Sequence, residues 1–121
     1  VTIADVNVQV SITHTWLNDL NMNLTDPANT TVELWTEVLD DGNGTCSGDD
    51  MDGVILDDES GNAFQCIEPG PPAMSGDYPP ENPLTAFDGA DAQGTWTVFI
   101  NDTAGGDQGT VDELCLEFNG N

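Results

Sequence analysis

The chain contains no lysine and no arginine, and this absence excludes whole classes of function. Sequence-independent nucleic-acid binding needs cations to meet phosphates, and attraction to anionic membrane surfaces needs the same side chains. Against no basic residue stand 23 Asp plus Glu and one histidine, a formal charge of −23. Self-repulsion at that charge opposes compaction. Only bound cations or salt offset it, with a Debye length of roughly 8 Å at physiological ionic strength. One reading is a solvated acidic surface suited to salty surroundings. A sharper reading, compatible with the first, is that carboxylates converge on Ca2+. A by-product is that trypsin-like proteases find no cleavage site.

Other absences narrow the class further. No run approaches the ~18 consecutive apolar residues that span a membrane. The first residue is not methionine, and no signal-like apolar segment follows it, so we expect a single module, residues 1–121, excised from a larger secreted protein. A chain of 121 residues suits one domain with one modest core. No stretch keeps a 3.6-residue period, and no internal repeat is visible.

What is present alternates. Val6, Val8, Val10 and Ile12 interleave with polar residues as a half-buried strand. Leu20, Met22 and Leu24 form a second strand, ended by Asp26-Pro27. Val32, Leu34, Thr36 and Val38 form a third, with Trp35 on its other face. Residues 40–53 read as an acidic, Gly-rich loop and Val54-Ile55-Leu56 as a short strand. From Glu68 to Pro83, Pro and Gly preclude regular structure. Trp96, Val98 and Ile100, then Leu114, Leu116 and Phe118, predict a final hairpin closed by the loop Thr103–Gln108. Short alternating strands separated by turn signals predict an all-β fold, a jelly-roll-like β-sandwich of antiparallel sheets.

The final segment, Gly94-Thr95-Trp96-Thr97-Val98-Phe99-Ile100-Asn101-Asp102 through Gly109-Thr110 and a strand ending Leu-x-Leu-x-Phe, resembles the last strands of the P domain. That β-sandwich follows the subtilisin-like catalytic domain in kexin- and furin-type proteases and is common in bacterial secreted proteins. Three more segments resemble the family in the same order. They are Ile3–Leu20 with its His14-Thr15-Trp16 corner, then Cys46–Asp50 with Leu56-Asp57-Asp58-Glu59, then Pro83–Gly89. Two positions depart from the family. Asp112-Glu113-Leu114 stands where an aromatic, usually Trp, is common, and Asp50 where Asn is common. Cys46 and Cys66, which flank the acidic loop, resemble a disulfide pair of bacterial members. Closing a loop of that size would contribute roughly 3 kcal/mol in the chain-entropy model. Cys115, out of phase with Leu114 and Leu116, is then left unpaired, as a buried thiol on the opposite sheet face or the partner of a cysteine elsewhere.

Candidate Ca2+ ligands are Asp49 with Asp57, Asp58 and Glu59, then Asp88 with Asp91, then Asp102 with Asp107. Ca2+ takes six to eight oxygens, which adjoining loops can supply. An EF-hand is rejected: with Gly53 at its sixth position, the first position falls on Gly48, which has no carboxylate. His14 reads as a hydrogen-bonded residue at a strand end, since no serine lies in a nucleophile elbow. One histidine and three scattered cysteines lack zinc-ligand spacing. Sequons occur at Asn23, Asn29, Asn43 and Asn101. Exposed aromatics for carbohydrate binding would have to be Trp16 and Trp35.

The resemblance implies a non-catalytic, calcium-binding accessory module, secreted or at the cell surface. Such a module would pack on an attached subtilisin-like protease domain, or on neighbouring modules, and support folding and stability. The alternative is a structural or adhesive module of an extracellular fibre, self-assembling or tandemly repeated. No nucleic acid, membrane insertion or enzymatic activity is expected.

Overall fold

The computed structural model describes residues 2–40, 44–67, 71–103 and 109–120. Nine strands occur in chain order among them: β1 (Ile3–His14), β2 (Leu20–Thr25), β3 (Thr31–Trp35), β4 (Leu39–Asp40), β5 (Met51–Leu56), β6 (Gln65–Cys66), β7 (Asp77–Tyr78), β8 (Thr97–Asp102) and β9 (Gly109–Gly120). The only helical pieces there are 3₁₀ turns at Leu17–Asp19 and Leu84–Phe87. One sheet has the order β7-β5-β1-β9 and the other β3-β2-β8, with β4 and β6 a small parallel pair. The large ladders are antiparallel and β5–β7 is parallel.

The sandwich follows from the alternation. Val6, Val8, Val10 and Ile12 are buried on one face of β1. Their cross-strand partners Phe118, Leu116, Leu114 and Val111 on β9 point the same way. Leu20, Met22 and Leu24 of β2 share one core with the buried residues of β1, and Leu116 and Phe118 pack against it, while Val111 and Leu114 stay exposed at its rim. The sandwich is also closed across the sheets by aromatic contacts. Phe87 meets Trp96 edge-on at 5.1 Å, and Trp96 meets Phe118 at 5.1 Å.

Several local expectations are corrected. The final two strands are not a hydrogen-bonded hairpin: β8 pairs with β2 and β9 with β1, so the segment crosses from one sheet to the other. Alternation reports which face is buried but not which strand lies alongside, so it reads the same for a hairpin and an arch. The third strand ends at Trp35, and Trp35 is buried like Leu34. The register shifts between Met22 and Asn23, so two consecutive residues turn inward. The Trp35 indole N–H then donates to the Leu20 carbonyl at 3.0 Å, and its ring stacks on Phe64 at 5.5 Å. Trp35 is therefore no candidate for carbohydrate binding, whereas Trp16 remains exposed. The fifth strand begins at Met51, inside the stretch expected to be loop. Cys46 and Cys66 form the disulfide, both fully buried, with β5 inside the loop they close. Cys115 lies on the outer face opposite Gln9 and is exposed, not buried, because no second layer among the described residues covers that face of β9.

Candidate functional site

Acids hold this chain together through the backbone. With no cationic side chain available, carboxylates accept main-chain N–H groups in turn after turn. Asp26, itself buried, accepts from Ala28 at 3.0 Å and Thr30 at 2.7 Å, closing the turn between β2 and β3. Asp40 accepts from Gly44 and Asp91 from Gln93. Asp58 accepts from Leu84 at 2.8 Å and Thr85 at 3.0 Å, satisfying the first amides of the second 3₁₀ turn.

The expected ligands fall into separate places. Asp49 precedes β5 and the Asp57–Glu59 group follows it, so a strand of six residues lies between them, roughly 20 Å of extended chain. The Asp49 carbonyl accepts from Ala73. Asp57 spends one oxygen on the Glu59 amide at 2.9 Å, and both Asp58 oxygens serve the 3₁₀ turn. Asp88, expected with Asp91, lies instead within electrostatic reach of Asp58 and Asp5. Asp107 and the sequon residue Asn43 lie outside the described residues. Among the described residues no three His, Cys, Asp or Glu side chains are placed to hold a metal ion.

An acidic patch does form, from Asp5, Asp57, Asp58, Glu59 and Asp88. Partial loss of solvent, then the charges of Asp5, Asp57 and Asp58, raises the Glu59 carboxyl above its ordinary range. Asp88 is raised by partial desolvation, then by Asp5 and Asp58. Asp5 was missed in the sequence. Its signal was the break in alternation: Ile3 and Val6 are both buried, three residues apart, and a register shift between Ile3 and Asp5 turns the acid toward the patch. Two acids move the other way. Asp91 is lowered chiefly by the Gln93 amide, and Asp112 by the hydroxyls of Thr13 and Thr110.

His14 closes one end of the sandwich, as a strand-end hydrogen-bonded residue should. It is 2% exposed. The Trp16 amide donates to Nδ1 at 3.1 Å, so Nε2 carries the proton and donates to the Asp102 carboxylate at 2.9 Å. Its main chain is clamped by Asp50, whose carboxylate accepts the His14 N–H and whose own N–H donates to the His14 carbonyl. The imidazole therefore ties β1 to the end of β8. Asp102, expected as a metal ligand, has at least this oxygen committed to the tie.

Among the remaining sequons, Asn29 is exposed in a turn at φ 68°, Asn101 is exposed on β8, and Asn23 is half-buried on β2. No helix among the described residues is long and apolar enough to cross a membrane.

Residues 3–118 match the proprotein convertase P-domain family. No curated protein and no solved structure matches the chain.

Proposed function

From the premise that the chain belongs to the proprotein convertase P-domain family, a family of non-catalytic accessory domains, we propose that it supports the folding and stability of an attached subtilisin-like protease domain. The family match over nearly the whole chain carries this reading. The interior agrees with it: it is filled by apolar side chains, and the one histidine is engaged by Asp102 and the Trp16 amide. Deleting the module from its parent polypeptide should lower the yield and the thermal half-life of the catalytic unit while leaving its active-site residues intact. A catalytic unit that folds in equal yield and survives equally long without the module removes the proposal.

Secretion is part of the same reading, supported by the buried Cys46–Cys66 disulfide. Calcium belongs to it in a narrower form than the sequence implied. We assign it to the patch of Asp5, Asp57, Glu59 and Asp88. Uncompensated like charge there favours a divalent cation, and the exposed Glu59 and Asp88 side chains would have to turn toward Asp5 and Asp57 to complete a ligand set. Melts in EDTA and in Ca2+ at matched ionic strength decide it, and equal melting temperatures would end the claim. The exposed sequons Asn29 and Asn101 are the acceptors we would expect to be glycosylated.

A further inference from the structure

The sandwich is fastened at its two ends and open between them along one side. At one end Trp96 bridges to Phe118; at the other His14 holds Asp102. Between these ties run β8 and β9, each the last strand of its sheet among the described residues. Their inward side chains are the least covered of the interior. Val111 is 44% and Leu114 37% exposed, and Val98, Ile100 and Leu116 are only partly buried. The facing residues of β1 and β2, one strand further in, are fully covered. A small cleft of about 90 Å3 opens between Ile12, Leu20, Ile100 and Val111. Apolar rows and unpaired ladder edges thus coincide along the same seam.

We propose that this seam is a docking edge for an extended, cationic segment of a partner polypeptide, which pairs with the free edge of β9 and covers the row Val111, Leu114 and Leu116. The proposal refines the accessory reading above by naming the surface and the chemistry of the partner, and it rests on that reading only for what the partner belongs to. Two observations select the occupant. A bare ladder edge with a period-two apolar row accepts a strand with apolar side chains at alternate positions. Charge selects the other positions. The outward side chains of β9 include Glu113 and Glu117, with Asp112 at the bulge, and opposite charges directly across a strand pair are favourable while like charges are not. A second copy of this chain, at −23 with no Lys or Arg, brings only like charge to that edge. A partner strand with Lys or Arg between its apolar residues supplies what the whole chain lacks.

The test uses the full chain and three synthetic peptides: one alternating Val and Lys, one alternating Ser and Lys with equal charge, and one alternating Val and Glu. Titration followed by amide chemical shifts should show binding of the Val/Lys peptide with the largest shifts on β8 and β9, and no binding of Val/Glu. Leu114→Glu and Val111→Glu, at positions exposed enough to tolerate the change, should each weaken Val/Lys binding by about tenfold. Equal binding of the Ser/Lys peptide would reduce the effect to adsorption on an acidic surface and overturn the proposal. Self-association of the chain in high salt through β9 would overturn it in favour of a homotypic edge. A deletion experiment on the parent reports separately on the accessory role, so failure of either claim leaves the other standing.

Discussion

Replacing Asp102 with alanine tests what the acidic end of β8 does. Its carboxylate accepts the Nε2 proton of His14 at 2.9 Å, and His14 is 2% exposed against 31% for the Asp102 side chain. The Coulombic part of this contact is screened by solvent on the Asp102 side, so little should be ascribed to charge. The cost comes from the histidine, whose buried N–H loses this acceptor, and such a loss is worth roughly 1–3 kcal/mol. For a domain of this size, a kcal/mol corresponds to about 4 °C, so Asp102→Ala should lower the melting temperature by about 4–12 °C. Asp102→Asn keeps an oxygen in place and should recover most of the loss. Both variants are to be melted by scanning calorimetry in EDTA and in Ca2+. A carboxylate that serves His14 gives the same penalty in both buffers. A penalty seen only with Ca2+, or Asp102→Ala melting with the unaltered chain, would refute the argument.

Gly94 sits at φ +131°, and an added Cβ would lie 2.7 Å from Pro27, so Gly94→Ala should destabilise by roughly 1–3 kcal/mol in urea titration. Gly89→Ala, at φ +84° in open space, should cost less, about 1 kcal/mol. Replacing Cys46 and Cys66 together by alanine should remove roughly 3 kcal/mol of loop-closure stabilisation, read as a lower urea midpoint. Stability should also depend on pH in two opposed ways. Glu59 and Asp88 bind protons more tightly folded than unfolded, so their patch costs stability at neutral pH; that cost shrinks as pH falls through their folded values and is gone below their ordinary ones, 4.5 and 3.8. Asp91 and Asp112 are lowered, so the stability they add is present above 3.8 and lost as acid titrates them in the folded state. The melting temperature should therefore rise as pH falls through the raised values of Glu59 and Asp88 and fall again below 3.8, and a steady decline on acidification would contradict the assignment.

Much of this architecture is legible in the residues. The apolar face of β1 and the run of β2 are stated by alternation alone, and His14 at a strand end needed only the absence of a nucleophile nearby. What alternation cannot encode is adjacency. The pairing of β9 with β1 rather than β8 is decided by contacts about 100 positions apart, as in the Thr13–Asp112 bond at a separation of 99. Bulges hide in the same way. One extra residue near Met22 brings Trp35 inside, and another near Ile3 delivers Asp5 to the acidic patch. The acids were the least legible group, because an Asp that accepts a turn amide and an Asp that waits for a cation have the same local sequence. Only the amides of Leu84 and Thr85 on Asp58 separate them, and those come from a segment more than two dozen positions away.

The β1–β9 ladder has a mechanical consequence. Its strands are antiparallel, and Ile3 lies opposite Gly120 at one end. Tension applied through both chain ends would therefore enter the ladder at a single rung. Hydrogen bonds would carry the load in succession, each parting before the next is strained, as a zip opens. Strands pulled from opposite ends would instead share the force across every rung. A domain wired in this way yields at low force, peeling β9 away while β1 stays held by β5. Such wiring makes the shared end of β1 and β9 the first part of the fold to give way under tension.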